Sequence, residues 1–211
     1  MNRTQLIALP ILLLLLTSVS ATSTSSITFT PGVVSGDYFA YEMYGVYTSN
    51  RPNATIVIPE FEKNNTDWTQ IIVTAVSGST VKQTYTLHFK NGSELEFDFE
   101  TDVNPQNQGA FKISEKGVPI CAANLNPGDR EPTAKIILND TVARAYSDGV
   151  RELTHACWSQ TDEWGNIYFD GETGMLVGLK RTHRFVNPDT GNIVEKTDII
   201  RLINTSRWQV S

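Results

Sequence analysis

The chain is poor in the residues that most often carry chemistry. Its 211 residues include only two cysteines, Cys121 and Cys157, and three histidines, His88, His155 and His183. No two histidines have the i, i+2 or i, i+4 spacing of a strand or helix metal site. Two cysteines without a Cys-x-x-Cys pattern provide too few ligands for zinc. The sequence therefore predicts no metal centre and no cofactor.

The chain also lacks the motifs of common catalytic and nucleotide-binding folds. It contains no Gly-x-Ser-x-Gly nucleophile elbow, no glycine-rich phosphate loop and no dinucleotide fingerprint. Charged residues make up 19% of the chain, and the formal net charge is −6. Because a mildly acidic protein repels phosphate groups, nucleic acid is a poor candidate partner. The sequence therefore favours a binding or structural role over an enzyme.

The sequence has a single long apolar run, which lies near its amino terminus. Leu6–Leu16 follows Arg3 and precedes small residues at Val19 and Ala21. This order is typical of a secretory signal peptide, and the run is shorter than the ~20 residues of a membrane-spanning helix. We expect a signal peptide at residues 1–21 and a protein that is secreted or held at the cell surface. Retention as an uncleaved anchor is the alternative.

Export would place the chain in an oxidising environment, in which two cysteines pair by default. We therefore expect a disulfide between Cys121 and Cys157, with two buried thiols as the alternative. Asn-x-Ser/Thr motifs lie in predicted loops or at strand ends, the exposed positions that asparagine-linked sugars require. Asn91 has such a motif too, but a tight turn also explains it. The predicted glycosylation sites are Asn53, Asn64, Asn139 and Asn204.

The strongest structural signal is the alternation of apolar and polar residues over residues 81–103. Val81, Tyr85 and Leu87 alternate with polar residues, and the pattern resumes after Asn91-Gly92. Because side chains alternate across a strand, this pattern predicts two antiparallel strands with one apolar and one solvated face. Asn-Gly is typical of a tight hairpin turn.

Similar patterns along the chain predict about ten strands and no amphipathic helix longer than two turns. We expect an all-β fold, or a mainly β fold with one or two short helices, in which residues 22–36 are an extended, flexible segment and residues 37–211 form one antiparallel domain. A sheet of this length must curl strongly or form an open barrel or half-barrel to hide its apolar face. A helical turn is expected within Val118–Asp129. Beyond residues 81–103, the predicted strands are Asp37–Thr48, Thr55–Ile58, Trp68–Val76, Ala110–Ser114, Ala134–Leu138, Thr141–Tyr146, Val150–Ser159, Asn166–Phe169, Met175–Val186 and Ile193–Ile203.

A stripe of tyrosines in the first predicted strand is the main candidate for ligand binding. It comprises Tyr38, Tyr41, Tyr44 and Tyr47. Tyrosine has an apolar body and a polar tip, which suits a binding groove and the rim of a core equally. We expect these residues either to line a groove for an apolar ligand or to pack in the sheet.

Two charged clusters are further candidates. Asp162, Glu163, Asp170 and Glu172 flank two aromatic residues, and paired carboxylates of this kind can hydrolyse glycosidic bonds. Solvated turns and a calcium site are the alternatives, although the spacing matches no 12-residue calcium loop. The basic cluster of Lys180, Arg181, His183 and Arg184 either faces acidic strand residues or binds an anionic ligand.

Three segments resemble parts of known protein families: Gly36–Glu42 (GDYFAYE), Ala123–Asp129 (ANLNPGD) and Tyr168–Leu176 (YFDGETGML). They are similar to uncharacterised exported β-rich proteins of archaea with a GDYxxYE … YxDxxTGxL pattern. That resemblance implies export and a β-fold but no activity. The last segment also resembles turns in lipoprotein-carrier half-barrels of the LolA/LolB type, which hold lipid in a curled sheet.

The sequence thus favours an exported β-sheet binding or structural module that holds an apolar small molecule or lipid in a curled sheet. A secreted hydrolase that uses the loop carboxylates and a structural component of the cell envelope, held to its neighbours, are the alternatives.

Overall fold

A computed structural model of the chain describes residues 29–51, 65–104, 120–130, 136–187 and 190–210. The regular secondary structure within these ranges consists of nine strands and no helix. The strands are β1 (Tyr38–Ser49), β2 (Thr66–Ser77), β3 (Thr80–Phe89), β4 (Glu94–Asp102), β5 (Asp140–Tyr146), β6 (Gly149–Ser159), β7 (Glu163–Asp170), β8 (Leu176–Val186) and β9 (Ile193–Thr205). In this part of the chain, no helix is long and apolar enough to cross a membrane.

The nine strands form one antiparallel sheet in the order β4-β3-β2-β1-β9-β8-β7-β6-β5. Two meanders, β1–β4 and β5–β9, are joined where β1 pairs with β9 from Phe39–Thr205 to Ser49–Val194. The predicted all-β antiparallel fold is confirmed. Because the outermost strands β4 and β5 do not pair with each other, the described sheet is not closed into a barrel.

Several local predictions differ from the structure or fall outside its described ranges. The described part of the expected strand Ala134–Leu138 forms only a single bridge, between Ile137 and Arg130. Residues 120–129 form turns rather than the expected helical turn. Residues 1–28, which contain the predicted signal peptide, and the expected strands Thr55–Ile58 and Ala110–Ser114 lie outside the described residues.

The hairpin of β3 and β4 follows the predicted alternation. Tyr85 pairs with Phe97, their rings stack at 5.3 Å between centroids, and Phe99 meets the Tyr85 ring edge-on at 5.9 Å. The connection is a four-residue loop, residues 90–93, rather than a two-residue turn. The Asn91 side-chain oxygen accepts hydrogen bonds from the amide and hydroxyl of Ser93 within this loop.

One face of the sheet, the core face, is apolar across nearly all of its strands. Aligned residues of neighbouring strands share this face, and loop residues such as Val33, Ile120 and Leu138 pack with them. Along β4 the opposite, outer face is polar, as the exposed carboxylates of this strand illustrate. Buried core-face residues include Phe39, Tyr41, Ile71, Val73, Val81, Tyr85, Ile167, Phe169, Leu179, Ile200 and Leu202.

The predicted disulfide is not formed in the structure. Cys121 is buried, and its amide and thiol lie 2.9 Å and 3.4 Å from the carbonyl oxygen of Gly174. Cys157 is exposed on β6, where it pairs with Asn166. A disulfide requires Cβ atoms about 3.5–4.5 Å apart. One cysteine is packed beneath the β7–β8 turn while the other lies at an exposed position along β6, so the two are not bonded.

Candidate functional site

The turn between β7 and β8 is built around a buried carboxylate. Asp170 is 1% exposed, and its Oδ1 accepts hydrogen bonds of 2.8 Å from both the amide and the hydroxyl of Thr173. The Gly174 amide donates to the Asp170 carbonyl oxygen at 2.8 Å. These bonds fold the segment Tyr168–Leu176 into a closed turn, so Asp170 and Thr173 have a structural role here.

Arg151 of β6 neutralises this carboxylate. Its Nε and Nη2 lie 2.7 Å and 2.9 Å from the two oxygens of Asp170, and its Nη2 also lies 2.6 Å from Glu172. The guanidinium carbon stands 4.2 Å above the ring of Trp208. The hydrogen bonds that Arg151 donates to Asp170 raise the pKa of Arg151 above its ordinary value, so this side chain stays charged.

The four carboxylates that the alternative hydrolase hypothesis requires separate into two pairs. Asp170 and Glu172 meet at Arg151, whereas Asp162 and Glu163 lie at the other end of β7, about 23 Å away along the strand. Glu163 accepts a 3.1 Å hydrogen bond from the indole of Trp158. Two carboxylates at opposite ends of β7 are too far apart to flank one glycosidic bond. The other pair, Asp170 and Glu172, is bound by the Arg151 guanidinium.

The tyrosine stripe is divided between the two faces of the sheet. Tyr41 is fully buried on the core face, and its hydroxyl donates to the Leu176 carbonyl oxygen at 3.0 Å. Tyr47 is half-buried on the same face, where its ring lies 5.9 Å from the Lys196 ammonium. Tyr38 and Tyr44 lie on the outer face. The four predicted residues therefore divide two and two between the faces, as alternation along the strand predicts.

One region of the core face is exposed to solvent. Leu95 is 52% exposed, and it pairs with half-buried Leu87. Leu87 pairs with Thr69, whose hydroxyl lies 3.4 Å from the sulfur of Met43 on β1. We call Met43, Leu87, Leu95 and Phe97 the apolar patch.

A row of charges continues the core face beside this patch. Met43 pairs with Ile200, and Asp198 lies two residues before Ile200 on β9, about 7 Å along the strand. Asp198 lies 2.9 Å from Arg181 and 3.3 Å from Lys196. We call Arg181, Lys196 and Asp198 the charged row; it carries a net charge of +1.

The charged row was only partly visible in the sequence. The basic cluster that contains Arg181 is split by strand alternation: Arg181 and His183 lie on the core face, whereas Lys180 and Arg184 lie on the outer face. Arg184 pairs there with Glu195 at 2.7 Å, as the expectation of an acidic strand neighbour required. Lys196 and Asp198 give no sequence signal, because only the β8–β9 register places them beside Arg181.

Two of the four predicted glycosylation sites lie within the described residues. Asn139 and Asn204 are exposed, and so is Asn91. The Asn139 side-chain oxygen accepts a hydrogen bond from the Cys157 amide at 2.5 Å. Asn53 and Asn64 lie outside the described residues.

The histidines do not converge. His155 lies 2.7 Å from Asp140 and 3.2 Å from Asn166, and its ring stacks on Tyr168 at 4.4 Å. Among the side chains that the structure describes, no group of three or more His, Cys, Asp and Glu residues could hold a metal ion.

No protein-family model matches this chain, and neither a curated protein nor a solved structure matches it. The resemblances to exported archaeal proteins and to lipoprotein carriers therefore stay predictions.

Proposed function

We propose that the protein is an exported binding module that holds an amphipathic, anionic ligand on the core face of a curled sheet. The apolar part of the ligand lies on the apolar patch, and its anionic group lies at the charged row. The protein performs no chemistry on this ligand.

The observation that carries this proposal is the adjacency of the two surfaces. The apolar side chains of the patch are partly exposed to solvent, and contiguous exposed apolar surfaces mark binding sites. The net positive charge of the row favours an anion over a cation. Tyr41 and Tyr85 fill the core beside the patch, so the ligand lies on an open surface rather than within an enclosed cavity.

The test is calorimetric titration of the purified protein with laurate below its micelle concentration. We expect saturable binding that is tighter than the binding of dodecyltrimethylammonium, which has the same chain length and the opposite charge. Leu95→Glu should weaken laurate binding at least about tenfold, because the new carboxylate occupies the patch and repels the ligand.

The matched control is Ile72→Glu. Ile72 is also partly exposed, at 38%, but it lies on the outer face of β2. This variant should bind laurate as the wild type does. If folded wild-type protein binds no laurate, or if both variants weaken binding equally, the proposal is wrong.

A second candidate function, a structural component of the cell envelope, is favoured by the outermost strands β4 and β5, each of which pairs with only one strand in the described part of the chain. If β4 paired with β4 of a second copy, the carboxylates of the two strands would lie opposite each other, and their repulsion disfavours this arrangement. Pairing of β4 with β5 of a second copy avoids this repulsion and could continue indefinitely. Sedimentation of the purified protein distinguishes the two functions: growing assemblies favour the envelope role, and a monomer at all concentrations excludes this mode of assembly.

A further inference from the structure

We propose a second binding site, for a neutral sugar, in a cleft at the opposite side of the sheet from the apolar patch. The cleft has a volume of about 390 Å³ and lies between β6, the loop that contains Asn124, and the β7–β8 turn. This volume is near the lower end of the range of small-ligand sites. The site uses none of the residues of the apolar patch or charged row.

The walls of the cleft are held in place before any ligand binds. The Asn124 amide donates to the Gly171 carbonyl oxygen at 2.7 Å, and the Gly171 amide donates to the Glu152 carbonyl oxygen at 2.9 Å. Arg151 is fixed by Asp170 and by the Trp208 ring, as described above. A rigid wall lowers the entropy that a ligand must lose on binding.

The polar groups that line the cleft match the hydrogen-bonding pattern of a polyol. Asn124 and Asn126 contribute amides, Thr154 contributes a hydroxyl, and Glu152 and Glu172 contribute carboxylates. Amides and hydroxyls both donate and accept, whereas carboxylates only accept. A sugar hydroxyl also donates and accepts, so it can satisfy every one of these groups.

The charges of the cleft exclude other ligand classes. Arg151 contributes one positive charge, and Asp170, Glu152 and Glu172 contribute three negative charges, which gives a net charge of −2. This potential disfavours phosphate and other anions. An ammonium ion would accept no hydrogen bond from the asparagine amides, and no aromatic ring lines the described cleft as a cage for a quaternary amine.

Glu152 provides the clearest test. Its side chain is exposed, and it forms no hydrogen bond or ion pair with any residue that the structure describes, so its removal should leave the fold intact. Asn126 is likewise exposed. The matched control is Glu94→Ala, which removes an exposed carboxylate from the outer face of β4.

The experiment is saturation-transfer difference NMR of the purified protein with glucose, galactose, mannose and N-acetylglucosamine in turn. We expect at least one sugar to bind, with affinity reduced about tenfold by Glu152→Ala and by Asn126→Ala and unchanged by Glu94→Ala. Circular dichroism verifies that each variant is folded.

Three results would overturn the proposal: no sugar binds the folded wild type, a sugar binds both cleft variants as well as it binds the wild type, or spermidine binds in the sugars' place and is lost in Glu152→Ala. The last result would assign the cleft to cationic ligands. The outcome with laurate does not affect these results, because the two sites share no residue.

Discussion

At the residue scale, the buried carboxylate of Asp170 makes the β7–β8 turn depend on one cation. A buried charge without a partner is costly, whereas a pair of oppositely charged exposed side chains contributes little. Arg151 is therefore expected to contribute more to the free energy of unfolding than other arginines of the sheet, even where their ion-pair distances are similar.

We expect Arg151→Met to lower the free energy of unfolding by about 3–5 kcal/mol, because methionine keeps the side-chain bulk but leaves Asp170 unpaired. The control is Arg184→Met, which removes an exposed pair with Glu195 and should cost no more than about 1 kcal/mol. Urea unfolding followed by circular dichroism measures both. A double change, Arg151→Met with Asp170→Asn, should recover part of the loss; equal losses in the two single variants would contradict this role of Arg151.

Tyr41 is expected to make the protein sensitive to alkali. Burial raises the pKa of Tyr41 well above its ordinary value, and nearby Tyr85 and Asp170 raise it further. In the unfolded chain this tyrosine loses its proton near pH 10, while the native protein still retains it. Stability from this group is therefore complete below pH 10 and falls as the pH rises toward the native pKa.

The measurement compares unfolding free energies of the wild type and Tyr41→Phe between pH 9.5 and 11, a range set by the ordinary tyrosine pKa of about 10. Phenylalanine cannot ionise, so the decline should be shallower by up to about 1.4 kcal/mol per pH unit. At neutral pH the variant should be less stable by about 1–3 kcal/mol, because the Leu176 carbonyl oxygen loses its partner. Parallel pH profiles would contradict a raised pKa at Tyr41.

At the element scale, the β7–β8 turn is where three chain segments meet. A Cβ atom at Gly174 would stand 2.1 Å from the Cys121 carbonyl oxygen, and one at Gly32 would stand 1.7 Å from the Glu172 carbonyl oxygen. Only glycine permits such approaches of backbone to backbone. The turn therefore fixes both the entry segment and the segment after residue 120 against the sheet.

Alanine substitutions at two glycines distinguish the energetic cost of this steric overlap from the cost of backbone strain. Gly174 and Gly92 both have positive φ angles, of 72° and 81°, but a Cβ at Gly92 would meet nothing within 4 Å. We expect Gly92→Ala to cost about 1–2 kcal/mol and Gly174→Ala to cost about 3 kcal/mol or more, because overlap adds to strain. Thermal unfolding measures both. Equal costs would show that the contact with Cys121 is unimportant.

The elements were largely predictable from the sequence because alternation determines them locally. Val81, Tyr85 and Leu87 lie on the core face as predicted, and β1, β2, β5, β6, β8 and β9 begin and end within two residues of the predicted bounds. The β3–β4 loop is longer than the predicted Asn-Gly turn, and within it the Asn91 side-chain oxygen accepts a hydrogen bond from the Ser93 amide.

The candidate sites were less predictable because they depend on contacts distant in sequence. Alternation along the first strand already separates Tyr38 and Tyr44 from Tyr41 and Tyr47, but the hydrogen bond from Tyr41 to Leu176 depends on the fold. The partners Arg181 and Asp198 become neighbours only through the register of β8 with β9. Asp170 reads as a loop carboxylate in the sequence, and only the fold buries it beneath Arg151.

At the scale of the whole molecule, β1 unites the two meanders into one sheet. Its first residues pair with β2 only from Tyr38 to Tyr41, whereas its pairing with β9 covers almost its full length. The core face thereby becomes a single surface that runs from the buried centre to the apolar patch and charged row. The proposed function depends on that continuity.

Export is a prediction about the whole molecule that mass spectrometry can test. We expect the protein recovered from outside the cell to begin after Ala21 and, in a host that attaches asparagine-linked sugars, to carry added mass at exposed Asn139 or Asn204. An intact amino terminus would instead indicate an uncleaved anchor. Recovery of the protein only from the cytoplasm would contradict export.

The most direct test of the account is an NMR titration of the isotopically labelled protein with laurate. The account predicts concentration-dependent shifts at Met43, Leu87, Leu95 and Phe97, extending to Arg181, with no change at Ile72 on the outer face. Shifts confined to the outer face, or none at saturating laurate, would contradict the claim that the open part of the core face is a binding surface.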